Sequence, residues 1–179
     1  SIPISGGKAT RITKGMAFDS HPKFSPDGKS LAYISDKSGG NNVWIRDIES
    51  NDSTQITKET DNQTAFVDWT KDGDYLIIAK GRRNLKLHMY HKDGGGGVKL
   101  IDKPSSIKIV QPEVGANDRY IWYANRTNSW QYNAGLPQYQ ISKYDRETGE
   151  VKRETSRFGS AFTPVSYTHL RAHETVVHL

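Results

Sequence analysis

Three stretches of this 179-residue chain align with one another without a gap, and they recur at a fixed interval of 45 residues. They read FSPDGKSLAYIS from Phe24 to Ser35, WTKDGDYLIIAK from Trp69 to Lys80, and VGANDRYIWYAN from Val114 to Asn125. A period near 45 with no helical spacing inside it restricts the chain to repeats of about four strands each, stacked so that neighbours cover one another's apolar faces. Every copy has the same grammar. An aromatic or branched residue (Phe24, Trp69, Val114) ends one strand, a tight turn follows, and an apolar strand runs through Leu31–Ile34, Leu76–Ala79 or Ile121–Ala124.

The turns carry their own chemistry. In the first copy Pro26 presets φ, Asp27 bonds its own backbone and Gly28 supplies the positive φ that reverses the chain. Asp72 and Gly73 repeat this in the second, while the third substitutes Asn117 and Asp118, two of the residue types that tolerate the left-handed region. Upstream, Pro22 and Pro112 stand two periods apart; lacking an N–H donor, they belong at a strand start, a bulge or an unpaired edge. A third strand is expected from Val43, Leu87 and Tyr139, and a short fourth at Gln55–Thr57, Lys99–Ile101 and Lys152–Thr155. Arg11–Thr13 fits the slot of a fourth strand from an earlier unit.

The fold class implied is all-β, a partial β-propeller of about three four-stranded blades with partial blades at both ends. Residues 1–13 read as the end of one blade, 14–57, 58–101 and 102–155 as three blades, and 156–164 as the start of the next, with a long insertion over 126–138. A β-sandwich accommodates such strands but does not call for a gapless repeat. Closed propellers need roughly four to eight blades, so this stretch alone is expected to expose apolar flanks and to self-associate or be marginal.

Composition excludes several functions. There are no cysteines, which removes disulfides, thiolate metal sites and a Cys nucleophile. No run approaches the roughly 20 apolar residues of a membrane helix, so no membrane insertion is expected. The formal charge of +5 is spread along the chain. Its one basic cluster, Lys80, Arg82, Arg83 and Lys86, reads as a solvated loop, and no nucleic-acid partner is expected.

No G-x-S-x-G elbow is present, and Gly94–Gly97 lack the G-K-[ST] that completes a phosphate loop, reading instead as a flexible hairpin connection. Asp19, Asp27, Asp36, Asp47, Asp68 and Asp72 lack calcium-loop spacing and are assigned to turns and caps. His88 and His91 alternate badly for one strand face. No catalytic residue, metal ligand or cofactor follows from the residues. Trp44, Trp69 and Trp122 are expected to pack between blades. Trp130, Tyr132 and Tyr139, in or beside the insertion, are the candidate partner contacts, because long loops project from a propeller face.

The signature HPKFSPDGKSLAYISD, His21 to Asp36, resembles the TolB-type propeller repeat, which prolyl oligopeptidase relatives and large bacterial amidohydrolases reuse. The third blade's NSWQYNAGLPQYQISKYDRETGE, with FGSAFTPV from Phe158 and MYHKDGGGGVKL from Met89, is similar to the N-terminal propeller of those amidohydrolases. The resemblance implies a non-catalytic binding or scaffold segment of a larger periplasmic or extracellular protein, its first partner being the rest of its own polypeptide. Their metal site uses an H-x-H pair, and this chain has none. A stand-alone TolB-like interaction protein and the gating propeller of a serine peptidase are the alternatives. Beyond Pro164, VSYTHLRAHET resembles a translated sequencing adapter, so residues 165–179 are expected to lie outside the native fold, and His169, His173 and Glu174 are not read as a zinc site.

Overall fold

Leu76, Ile77 and Ile78 are consecutive on one strand and all fully buried, so the sheet that holds them is covered on both faces. The chain is described by a computed structural model over residues 6–105, 107–126, 138–156 and 159–165. Among the described residues there are twelve strands, in three four-stranded antiparallel sheets. Blade 1 comprises β1 Asp19–Phe24, β2 Ser30–Ser35, β3 Asn42–Asp47 and β4 Ser53–Gln55. Blade 2 comprises β5 Gln63–Trp69, β6 Tyr75–Gly81, β7 Lys86–His91 and β8 Val98–Lys99. Blade 3 comprises β9 Ile109–Val114, β10 Tyr120–Arg126, β11 Tyr139–Asp145 and β12 Val151–Arg153. Each is an up-and-down meander in chain order. The all-β partial propeller expected from the repeat is what the chain forms.

Side-chain alternation on the second strand of each blade builds the seams. Ala32 and Ile34 of β2 join Leu76 and Ile78 of β6, with Val43, Ile56, Val67, Trp69 and Tyr90, in one core between blades 1 and 2. The intervening Ile77 faces the other way, packing with Leu87, Ile101, Ile109, Val114, Ile121 and Tyr123 between blades 2 and 3. Burying each such Leu or Ile is worth about 1.5–3 kcal/mol, so the middle strand alone supplies much of the cohesion of both seams. Trp69 is 3% exposed and packs between blades as expected, whereas Trp44 and Trp122 are half-buried and lie under lysines, Lys37 Nζ being 3.6 Å from the Trp44 ring centroid.

The turns follow their residues. Gly28 and Gly73 take φ of 72° and 76°, and Asp118 holds the equivalent place at 59°. In the first two copies a hydroxyl organises the turn: Ser25 Oγ donates to Asp27 Oδ1 at 2.6 Å, and Thr70 Oγ1 to Asp72 Oδ1 at 2.5 Å. Blade 3 has Gly115 there and loses that bond, but Asp118 Oδ1 accepts the Lys71 N–H of blade 2 at 2.7 Å. A local bond has been exchanged for one across a seam.

Several expectations are corrected. The fourth strands sit one or two residues earlier than the sequence implies, because the ladder ends before Ile56 and Ile101, which turn into the seams and are buried there. Arg11–Thr13 forms no strand; Thr13 and Ala17 instead line, with Tyr33, a pocket on the outer face of blade 1. The basic cluster is not all solvated. Lys80 Nζ bridges Glu59 at 2.6 Å and the Tyr90 hydroxyl at 2.6 Å, and buried Lys86 donates to the carbonyls of Pro104 and Ile107, pinning the connection into blade 3. Nor is Gly97 merely a flexible link, since a Cβ there would run into the Tyr90 ring.

Candidate functional site

The innermost strand of every blade is broken at one place. Pairing of β1 with β2 slips between Ser20 and Lys23, β5 with β6 between Ala65 and Val67, and β9 with β10 between Trp122 and Ala124. At each slip one non-glycine residue takes positive φ: His21 at 52°, Phe66 at 62° and Gln111 at 51°. These are β-bulges, each re-aiming the side chains that follow. Such a φ costs of order 1–3 kcal/mol in a non-glycine residue, and strain of this kind collects at functional sites. Thr163, at 51° and directly before Pro164, repeats the arrangement of Gln111 before Pro112, and its N–H donates to Gln111 Oε1 at 3.0 Å. His21 and Phe66 meet edge to face with centroids 4.5 Å apart. The prolines fall within bulges, as their missing donor requires.

Two residues beyond each bulge the repeat places a charge: Lys23, Asp68 and Glu113, spaced by 45. The blades bring them together. Lys23 Nζ lies 2.9 Å from Glu113 Oε2 and 3.5 Å from Asp68 Oδ1, so a side chain of blade 1 reaches carboxylates of blades 2 and 3. Asp68 Oδ2 accepts the Val114 N–H at 2.7 Å, and Trp69 Nε1 donates to the Lys23 carbonyl at 3.0 Å, tying adjacent inner strands. Burial, with the Glu113 charge beside it, raises the Asp68 pKa above its ordinary value despite the Val114 N–H and Lys23. For Lys23, burial pulls downward, but Asp68 and Glu113 outweigh it and the pKa is raised.

Beside these charges opens a cavity of about 240 Å³, lined by the bulges themselves, with Pro22, Phe66, Val67 and Pro112 among its apolar walls and Lys23 and Glu113 at its polar end. A larger groove of about 700 Å³ lies where the turns of blades 1 and 2 meet, but its Asp27 and Asp72 carboxylates are engaged in turn bonds. Among the described residues no group of three or more His, Asp or Glu is arranged to hold a metal ion.

Sequence reasoning missed the axial trio. The sequence assigns Asp68 to turns and caps with the other aspartates; Asp27, Asp47 and Asp72 do hold turns, whereas Asp68 sits inside a strand and serves two seams. Applying the 45-residue offset to charged positions would have exposed all three. Of the expected partner contacts, Trp130 and Tyr132 lie outside the described residues. Tyr139 opens β11, is half-buried and rests against Phe162 with centroids 4.6 Å apart. It is not part of the axial cluster. Of the two histidines, His88 is buried and His91 half-buried.

Radial four-stranded sheets, whose inner strands converge through bulges on an axial charge cluster, define an arc of a β-propeller. Residues 2–164 match the family described as the TolB beta propeller domain, and the chain belongs to that family. Among curated proteins it is similar to tricorn protease homolog 1 of Streptomyces coelicolor, 30% identical over 85 residues, 47% of this chain and 8% of that protein. It is also similar to dipeptidyl-peptidase 5 of Porphyromonas gingivalis, 31% identical over 43% of this chain and 12% of that protein. A TolB homolog of Protochlamydia amoebophila is 43% identical over 28% of the chain and 11% of that protein. The matched stretches thus make up about a tenth of those relatives. Among solved structures, putative TolB from Agrobacterium tumefaciens superposes with a TM-score of 0.71 at 19% identity, covering 85% of this chain and 54% of that one. TolB from Acinetobacter baumannii gives 0.62 at 22%, covering 79% and 33%. At such identities the likeness is one of fold.

Proposed function

We propose that this chain is a non-catalytic binding module of a larger exported protein, docking a polypeptide partner at the axial end where Lys23, Asp68 and Glu113 meet. One observation carries the reading: three successive repeats keep a strained bulge and a charged residue at the same inner-strand place, while the charge itself changes from Lys to Asp to Glu. The three charges meet beside an open cavity and so offer a polypeptide both an ammonium and carboxylates. A periplasmic or extracellular setting follows from the TolB-type resemblance. Tyr139, with Trp130 and Tyr132 ahead of it, forms a second proposed contact, toward the remainder of the parent polypeptide.

We read that parent as an amidohydrolase-like enzyme, on the likeness of the third blade's sequence to propellers of that group. The similarity to tricorn protease homolog 1 and dipeptidyl-peptidase 5 favours a second reading, the gating propeller of a serine peptidase. The gene downstream of residue 164 separates them: an H-x-H strand motif supports the first, a G-x-S-x-G elbow the second, and a stop after the propeller supports a stand-alone TolB-like protein. The binding role is tested by panning a displayed random-peptide library on the immobilised 179-residue chain. Selected peptides are expected to lose binding to the Lys23→Ala/Glu113→Ala variant and to keep it with Val98→Ala. Peptides indifferent to the axial changes would sink the reading.

A further inference from the structure

The axial cavity has apolar walls and, at its polar end, the Lys23–Glu113 ion pair. Its acid is arranged around an ammonium group, because Lys23 already places one between Glu113 and Asp68. That lysine is not a core residue: its side chain is 42% exposed, against 8% for Asp68 and 17% for Glu113. It therefore enters from the mouth and withdraws into solvent at small packing cost, as long amphipathic side chains do. The carboxylates differ in freedom. Asp68 is held by the Val114 N–H, whereas Glu113, among the described residues, has only Lys23 as a side-chain partner. Asp68 lies behind the cavity lining, so the cavity itself offers one carboxylate, Glu113, already matched to one ammonium.

We propose that the axial cavity receives a lysine side chain from a partner polypeptide, its methylene stem against Phe66, Val67 and the prolines, and its ammonium on Glu113 in the place Lys23 now fills. Lys23 is then an internal stand-in that keeps the carboxylates paired until a partner displaces it. Exchange of one ammonium for another leaves the charge balance of the cluster unchanged, so the carboxylates are never stranded without a counter-charge. What the partner adds is burial of its stem on walls that Lys23, coming from the cavity mouth, leaves open. This inference rests on the reading of the axial end as a docking face, and specifies what that face recognises.

The test is a titration of the isotopically labelled 179-residue chain with N-acetyl-Ala-Lys-Ala-amide and with the same peptide carrying norleucine, following the backbone amides of Phe66, Val67 and Glu113. The lysine peptide is expected to shift these amides saturably and to bind about tenfold more tightly than the norleucine peptide, the effect of one charge-assisted hydrogen bond. Lys23→Met, by removing the resident ammonium, is expected to tighten lysine-peptide binding by about tenfold, and Glu113→Gln to reduce it to the norleucine level. Should Lys23→Met not fold, as judged by its thermal melt, the contrast between the two peptides on the unaltered chain decides alone. Equal binding of the two peptides, indifference to Glu113→Gln, or no shift at these amides with either peptide overturns the inference. The docking-face reading falls separately, only if library-selected peptides ignore the axial residues.

Discussion

The inner and outer edges of the same three sheets have opposite characters. The inner strands β1, β5 and β9 run six or seven residues, carry a bulge each and contribute Val67, Trp69 and Val114 to the seams. The outer strands β4, β8 and β12 are two or three residues long, and β8 and β12 are exposed at every position. Inner strands touch one another across blades, so a residue there serves two sheets at once; outer strands diverge and serve only one. What the chain has to keep is therefore concentrated near the axis, and so is what it can vary to suit a partner.

Trp69→Ala tests this contrast most severely. The ring is buried between blades 1 and 2 and its Nε1 holds the Lys23 carbonyl, so truncation leaves a cavity and an orphaned carbonyl. Losing it is expected to cost about 3–5 kcal/mol in a urea titration, or to prevent folding. Phe24, at the same repeat position in blade 1, is 51% exposed. Phe24→Ala is expected to cost less than about 1 kcal/mol. Equal losses at the two positions would show that the seam does not decide the value of the residue.

Asp68 comes next. Asp68→Leu removes the acceptor of the Val114 N–H and leaves that donor buried, an expected loss of about 2–3 kcal/mol, whereas Asp68→Asn keeps an acceptor and is expected to recover most of it. Because the folded pKa of Asp68 is raised, the folded state holds its proton more tightly than the unfolded one. Its ionisation therefore subtracts stability as pH rises from the ordinary 3.8 through the folded value, and Asp68→Asn is expected to flatten that slope. Thermal melts of both proteins across the acid range provide the comparison.

The sequence makes the turns legible and the bulges opaque, for a physical reason. A hairpin turn demands particular residues, so Pro26, Asp27 and Gly28 announce it, and even the Asn117–Asp118 replacement falls within the small group that tolerates positive φ. The bulge demands nothing of its own side chain. Positive φ at His21, Phe66 and Gln111 is imposed by the pairing on either side, and none of the three is a residue type that announces it. Lys23, Asp68 and Glu113 escape notice likewise, since similarity between repeats is judged by likeness and these are alike only in being charged. The fourth strands are misplaced because Ile56 and Ile101 look like strand residues, yet their burial comes from the seam rather than from a ladder.

A milder test falls between axis and rim. His88, on β7, is 8% exposed, with Nδ1 3.0 Å from the Lys86 carbonyl, and burial lowers its pKa from 6.5. The folded state keeps the ring neutral while the unfolded chain protonates it. Its contribution is therefore complete above about pH 6.5 and is lost as pH falls from there through the folded value. Thermal melts between pH 7.5 and 5, ordinary working conditions at roughly that range, are expected to show a decline that His88→Gln reduces. An unchanged decline in the variant would assign the acid sensitivity elsewhere.

The smallest effects are expected at the rim. Val98 on β8 is 58% exposed and Val151 on β12 is 52% exposed, and each strand pairs over only two or three residues. Replacing either by Thr retains the β-branched shape the strand favours and adds a hydroxyl that water already reaches. The change in stability is expected to stay within about 0.5 kcal/mol. If Val98→Thr instead approached the loss at Trp69, the outer edge would have to be covered by something that makes it part of an interior, and the division between a cohesive axis and a free rim would not hold. A null result at both valines, set beside a large loss at Trp69, would place the cohesion of the arc in its seams and leave the rim open to variation without cost to the fold.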